Sequence, residues 1–516
     1  MSVRTLTDVK LSITQSESEL WKIAERKLGK KPAYFRILKK SIDARDKNAV
    51  RYVYSVEFSA KPQAKRQEAV ETLCPTKRPE KTVLVVGSGP AGLFCALRLL
   101  DRGITPVVVE RGPCVEERER KIALFSSSGA LDENGNVQFG EGGAGTFSDG
   151  KLNTQTHGAY NRAVLETFVQ FGAPEEILWW NKPHIGSDNL KHVVRRMREF
   201  IIKRGGQVRF DTLLKDVKIE NGELTKAVLY SWKDGKEETV DVAAAVLAVG
   251  HSARDTFEML SKRGVRMQRK DFAVGVRIEH LQEKIGLAQY GDVFGMLPPA
   301  DYKLVSHAGE RAAFTFCMCP GGYVMPAASE QGGVVTNGMS NYARDGKNAN
   351  AALIAQVRAT DFPSEHALSG VELQCRLERL AFQAGGGDYS APVQRLGDFL
   401  NGRVSDGFGE VQPTYPRTRF ADLNGVLPTF LAETLKNAVT DMDRRLKGFA
   451  NPDAVLTGVE SRTSSPLRIE RDDGGQSVSA KRLFPCGEGA GYAGGITSSA
   501  ADGLRIADKV FAFFNE

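Results

Sequence analysis

Two short apolar runs set off the most regular stretch of this chain: residues 83–86 (VLVV) and 107–109 (VVV). Consecutive apolar, mostly β-branched positions fit strands covered on both faces of a parallel sheet. Residues 90–101 lie between them with apolar positions at helical spacing, so the segment reads strand–helix–strand. Farther on, residues 187–203 repeat the helical pattern and stop at Gly205-Gly206. Short strands are predicted over 207–211, 216–220 and 225–231, with hairpin turns at Asn221-Gly222 and Asp234-Gly235. Another apolar strand spans 246–249, and a late strand before Gly487 leads into a helix over about 497–511. The N-terminal residues predict a small β-α-β-β unit, with strands over 3–13, 34–44 and 49–60. Ser16 and Glu19 are spaced as a capping box for its helix, which ends at Leu28. Residues 62–80 read as a polar linker. From residue 271 the texture changes to strands and loops rich in Gly and Pro.

Two glycine-rich turns nearly four hundred residues apart carry the chemistry. In the first, Gly87-x-Gly89-Pro90-Ala91-Gly92 joins the first run to its helix, and Glu110-Arg111 ends the second run. Gly87 suits the tight turn, Gly89 a close approach of pyrophosphate to backbone, and Gly92 close helix–strand packing. The helix N-terminus offers amide donors to phosphate, and Glu110 is placed to accept hydrogen bonds from a ribose diol. The second turn is Gly487-Glu488-Gly489-Ala490-Gly491, with Gly494-Gly495-Ile496 opening the last helix. Between them lies AAAVLAVGHSARD (residues 243–255), with Ala248 and Gly250 at the end of its strand.

In order and spacing, these three segments resemble the FAD-binding fold of glutathione-reductase-like flavoproteins. There the late strand ends in Gly-Asp and its carboxylate holds the ribityl chain; Glu488 stands at that place here, one methylene longer. GEGGAGTFSDGKLNT (140–154), FCMCPGGYVMPAASEQGGVVTNGMS (316–340) and TGVESRTSSPLRIERD (457–472) make the likeness more specific. They resemble a bacterial family of FAD-dependent proteins known as NAD(FAD)-utilising dehydrogenases, from about residue 81 to the C-terminus. The resemblance implies an α/β chain of four parts. A small basic module with linker (1–80) precedes the first part of a Rossmann-like FAD-binding domain (81–270). An inserted α+β cap or substrate domain (271–448) and the C-terminal part of the FAD domain (449–516) follow. It implies non-covalent FAD held by Gly87, Gly89, Pro90, Ala91, Gly92, Glu110, Arg111, Glu141, Gly142, Gly143, Val217, Ala248, Gly250, Gly487, Glu488, Gly495 and Ile496. No second βαβ unit built on a GxGxxG turn is present, so NAD(P)H is expected only as a transient reductant.

Composition limits the remaining choices. The chain has 516 residues, enough for two or three domains with a sizeable core, and its 41% apolar and 26% charged content is that of a soluble globular protein. No apolar run approaches the ~20 residues of a membrane helix. The first residues lack a secretory layout, and seven scattered cysteines suggest a reducing compartment, so a cytoplasmic location is expected. The net charge of +7 is uneven: residues 1–80 hold 18 basic against 10 acidic side chains, and the rest 52 against 53. A basic module reads either as a surface that docks on the flavin domain or as an RNA-binding face. No RNP-type aromatic signature accompanies it.

The candidate catalytic residues are Lys151, Cys317, Cys319 and Arg468. Lys151 closes a glycine-rich segment whose backbone amides suit an anion or flavin; it would polarise a flavin edge, bind a substrate carboxylate, or lie on the surface. Cys317 and Cys319 would face the same way in a strand, either relaying electrons beside flavin or packing as small apolar groups. Their C-x-C spacing is not the C-x-x-C of redox loops, and no second Cys/His pair lies near enough for zinc. Arg462, Arg468 and Arg471 would capture an anion or brace a loop. None of the seven histidines has a metal or triad spacing, although His184 and His251 fall near the expected cofactor. The expected activity is FAD-dependent oxidoreduction of a small-molecule substrate, an anion being one option, with hydride or electrons passing through flavin N5. The alternatives are an RNA-associated flavoprotein and a flavin-bearing protein without turnover.

Overall fold

A computed structural model describes residues 3–63, 82–153 and 158–515. The linker predicted over 62–80 lies from residue 64 onward outside the described residues, as do Cys74 and His157. Two sheets dominate. The first has five parallel strands in the order Leu483–Pro485, Ala245–Leu247, Thr82–Val86, Thr105–Val109, Gln207–Arg209. Three strands from distant parts of the chain thus end side by side, and the two glycine turns and Gly250 share one edge. Ligands bind at that carboxyl edge in open α/β sheets.

The packing explains the glycines. Helix Pro90–Asp101 starts with Pro90 in its first turn, where the missing N–H costs no hydrogen bond. It lies beside the last helix, Ile496–Phe513, and a Cβ on Gly503 would sit 2.2 Å from the Ala91 carbonyl oxygen. The hairpin strands Thr212–Glu220, Glu223–Ser231 and Lys236–Asp241 form the expected meander, with Asn221 (φ 52°) and Gly222 (φ 77°) in its first turn.

The second sheet has seven strands, running Val305–Ser306, Ala313–Cys319, Asn348–Val357, Phe272–Leu281, Val455–Glu460, Ala391–Arg395, Thr418–Phe420. It is antiparallel except for its last pair. Helix Thr429–Arg445 packs on it through Leu431, Leu435, Val439 and Met442. The boundary expected at 448 is moved by this sheet. Val455–Glu460 pairs on both sides inside it, because six consecutive buried residues are covered by neighbours on each edge and face.

The N-terminal unit forms as a three-stranded sheet (Arg4–Ser12, Arg51–Ser59, Tyr34–Asp43) with one helix, Ser18–Leu28. The Ser16–Glu19 capping box does not form. Glu19 pairs with Lys22 instead, and the cap residue is Glu17. Glu17 accepts from Lys40 (2.6 Å) and from Tyr54 (3.0 Å). Lys40 Nζ also lies 4.5–5.8 Å from the ring centres of Tyr52, Tyr54, Trp179 and Trp180. Its backbone donates to Trp179 (2.8 Å) and accepts from Asn181 (2.9 Å). One cation of the basic module therefore fastens it to the segment Trp179–Asn181, in a cation–π setting.

Candidate active site between the two sheets

An elongated cleft runs along the carboxyl edge of the first sheet and under the second. At one end lie Glu110, Arg111, Thr212, Leu213 and Leu214; in the middle Gly87, Gly89, Pro90, Ala91, Ala248, Gly250 and Glu488; at the other end Gly145, Lys151, Phe316, Cys317, Asn337 and Ile496.

The middle is a backbone cradle. Gly87 (φ 102°) could carry no side chain, since a Cβ would meet the Ala248 carbonyl oxygen at 2.3 Å, and one on Gly92 would meet the Gly87 oxygen at 1.9 Å. Gly89 differs: its Cβ would find only the Gly143 Cα, at 3.7 Å. Protein packing does not demand a glycine there. The room it leaves lies in the cleft at the helix N-terminus, where a pyrophosphate is received.

Glu110 is 5% exposed and fully engaged. One carboxylate oxygen accepts from the Ser88 backbone and hydroxyl (both 2.9 Å), the other from Gly112 and Gly140 (both 3.0 Å). It thus ties the first turn to segment 140–151 as well as lining the cleft. Arg111 pairs with Asp255 (2.8 and 2.9 Å) and lies 4.1 Å over the Phe139 ring.

Several expected residues stand behind the cleft rather than in it. Val217 is buried in the core under the meander, with Leu213 and Leu214 on the wall instead, because it faces the apolar side of its strand. Glu141 is buried against Val115 N (2.8 Å) and Arg198 (3.1 Å), and burial pushes its carboxyl up to about 7. Gly142 packs on Thr146 and Val194, and Gly487 on Ala91, whereas Gly143 and Gly495 do line the cleft. Arg468 lies outside the lining, against Tyr492 (5.2 Å). Of its neighbours, Arg471 pairs with Asp502 (2.7 and 2.8 Å). Arg462 lines the cleft but is bound to Glu378 (2.8 and 3.0 Å). Both brace loops.

The far end is held by buried charges. Arg277 donates to Glu460 (2.9 and 3.2 Å), the Cys317 carbonyl (2.9 Å), Asn350 (3.2 Å) and Asn337 Oδ1 (3.0 Å). Its grip accompanies a bulge between Phe316 and Cys319 that gives Cys317 a φ of 40°. Both cysteines still border the cleft across this bulge, but they differ in exposure. Cys317 is exposed to the cleft, whereas Cys319 is buried and turns its thiol to the Cys317 carbonyl (3.2 Å). Surrounding burial pushes the Cys317 thiol up to about 12, so it stays protonated near neutrality.

Lys151 lines this end, its side chain 23% exposed but its Nζ buried without a hydrogen-bond partner among the described residues. Asp149, 3.7 Å away, is taken by Arg344 and Ser340. A pairing that no motif signalled is His251 Nδ1 with Glu488 Oε1 (3.3 Å), which leaves His251 Nε2 buried and unpartnered. The position of His251 directly after Gly250 was its only clue.

Residues 271–463 match the family described as FAD-dependent protein, C-terminal domain-like; residues 80–121 match the FAD binding domain; residues 4–59 match a domain of unknown function. An uncharacterized protein of Clostridium beijerinckii is 43% identical over 498 residues, covering 93% of this chain and 92% of its own. The chain belongs to this bacterial family of FAD-dependent proteins, and FAD is its cofactor. Solved structures give distant likenesses. Glycerol-3-phosphate dehydrogenase from Bacillus halodurans, complexed with FAD, is 13% identical with a TM-score of 0.36, over 87% of this chain and 67% of that one. CtdE in complex with FAD is 12% identical with a TM-score of 0.32, over 84% of each chain. Among the described residues, no helix is long and apolar enough to cross a membrane, and no cluster of ligand side chains suits a metal ion.

Proposed function

We propose that the protein is an FAD-dependent oxidoreductase of the dehydrogenase kind, acting on a small molecule held between the cofactor and the second sheet. The observation that carries this reading is the division of the cleft. The phosphate cradle occupies its middle and Glu110 one end, so the flavin half of the dinucleotide extends toward Lys151, Cys317 and Ile496. Bound there, FAD supplies a flavin N5 that accepts or donates hydride.

The chain's own residues fit that group. The Gly87–Ala91 turn and its helix N-terminus would receive the pyrophosphate, Ala248 and Gly250 would flank it, and His251 Nε2 is an unpartnered buried group on the same wall. Glu488 orients the imidazole through Nδ1 and would accept from a ribityl hydroxyl. The wall of Phe316, Cys317, Asn337 and Gly338, fixed by Arg277, shapes the substrate side and keeps water away from the reacting atoms. With both glycine turns given to FAD, a nicotinamide reductant would visit the same cleft transiently.

The purified protein should be yellow, and acid precipitation should release unmodified FAD. Anaerobic titration with NADH and NADPH, followed by a graded set of small reductants, should bleach the flavin bands. A colourless protein that takes up NAD but not FAD, or a flavin that no two-electron donor reduces, would contradict the reading.

A further inference from the structure

The charges along the cleft are matched except at one place. Arg111 is neutralised by Asp255, Arg462 by Glu378, Arg277 by Glu460, and Asp149 by Arg344. Glu488 faces His251. Lys151 alone among the lining cations has neither an acid at hydrogen-bond distance nor any acceptor for its ammonium protons among the described residues. Burial and the nearby Arg344 push the imidazole of its neighbour His184 down to about 4, so the ring is neutral; its Nε2–H donates to the Tyr342 carbonyl (3.1 Å), and it makes no hydrogen bond to Lys151. A buried ammonium with no hydrogen-bond partner, its nearest acid 3.7 Å off and shared with Arg344, is costly, and a structure keeps one where a ligand supplies the missing acceptor.

A second donor stands at the same end. Asn337 lines the cleft, and its Oδ1 accepts from Arg277 Nη2 (3.0 Å) and from Gly338 N (2.8 Å). With the oxygen fixed by two donors, the amide NH2 is fixed too, and it donates to no group among the described residues. The same Arg277 that holds Asn337 also holds the Cys317 carbonyl, and Asp149, 3.7 Å from Lys151 Nζ, is bound by Ser340 at the end of the strand that carries Asn337. These groups therefore share one corner of the cleft. Phe316 and the protonated Cys317 add apolar surface beside them.

Resting on the reading of this end as the substrate side, we propose that Lys151 and the Asn337 amide bind the carboxylate of an anionic substrate. A point charge and one planar amide donor suit a monoanionic carboxylate with a short apolar body. A phosphate dianion would call for an arginine fork or a run of backbone amides.

The test is equilibrium titration of the FAD-loaded protein with acetate, butyrate and benzoate, with the matching uncharged amides as controls, followed by the flavin absorption bands. The carboxylates should perturb the spectrum saturably and the amides should not. Lys151→Met should weaken carboxylate binding at least tenfold, Lys151→Arg should retain most of it, and Asn337→Asp, which sets a carboxylate against the ligand, should abolish it. FAD content and bleaching by dithionite, measured on each variant, report separately whether the flavin reading stands. Loaded, reducible protein that no carboxylate perturbs, or that binds carboxylates equally well with Lys151→Met, would overturn the proposal. Inorganic phosphate binding more tightly than every carboxylate would overturn the assigned class.

Discussion

The two sheets do different work and are built by different rules. The parallel sheet holds its ligand edge with backbone, using glycines where side chains would collide. The antiparallel sheet presents side chains, and those that carry charge are locked in place by buried partners. The dinucleotide is met by main-chain geometry, whereas the wall opposite is built from side chains. Damage to the first sheet should therefore cost the cofactor, and damage to the second should cost stability or chemistry while FAD stays bound.

The largest expected effect is on the first sheet. Gly92→Ala places a Cβ 1.9 Å from the Gly87 carbonyl oxygen, and neither backbone can yield without opening the turn. FAD affinity should fall on the order of 100-fold or more, equivalent to about 3 kcal/mol. Retention of FAD by a folded Gly92→Ala protein would mean the turn is not the phosphate cradle. Glu110→Ala comes next. Its carboxylate holds Ser88, Gly112 and Gly140 in the cradle; hydrogen bonds to a carboxylate contribute roughly 1.5–3 kcal/mol, and with that bracing lost FAD should bind about 10- to 100-fold more weakly. Because the same carboxylate also braces Gly140, proteolysis near segment 140–151 should rise as well.

On the second sheet, Arg277→Met leaves Glu460 buried without its partner. A loss of about 3–5 kcal/mol is expected from breaking such a pair, read as a fall in melting temperature, with FAD still bound at 20 °C. A variant that melts normally but has lost FAD would erase the contrast between the sheets.

Acidity sharpens the same contrast with opposite signs. Glu141, behind the cradle, ionises near 7 in the fold because of burial, against 4.5 ordinarily. It keeps a proton that the unfolded chain releases between those values, so its contribution is lost as pH rises from about 5 to 8. His280, buried in the second sheet with its Nε2 at 2.8 Å from the Phe449 carbonyl, is pushed down to about 4 from 6.5 by burial. There the unfolded chain gains the proton first, so stability is lost as pH falls from about 7 to 4. Each arm is worth up to about 3 kcal/mol at 1.36 kcal/mol per pH unit. Denaturant midpoints from pH 4 to 8.5 should show both arms, with Glu141→Gln flattening the alkaline one and His280→Gln the acid one. The smallest effect is expected at the N-terminal unit: Lys40→Ala should loosen it to protease while FAD content stays unchanged.

The parallel sheet was legible because its signals are local. A β-branched run, a glycine at a fixed offset and an acid at the next strand's end suffice to place Gly87, Gly89 and Glu110. The second sheet was not, since no local motif marks its strands and they pair across gaps of up to 185 residues, as Gly275 with Glu460 shows. Nothing near Val455–Glu460 in sequence tells which sheet covers it. Side-chain facing also escaped where regular alternation breaks. The bulge that exposes Cys317 in the cleft while burying Cys319 is gripped by a guanidinium forty residues upstream. Val217 was misplaced for a related reason: the meander was recognised, but not which of its faces met the core.

The central claim is that the flavin lies at the Lys151 end of the cleft, and the midpoint potential of bound FAD tests it most directly. Reduction adds negative charge to the flavin, which a nearby ammonium stabilises, so Lys151→Met should lower the two-electron potential by about 30 mV or more, with 30 mV equivalent to 1.4 kcal/mol. Arg111→Met, at the opposite end, should leave it unchanged. Equal shifts from the two variants, or a shift from Arg111→Met alone, would contradict the account.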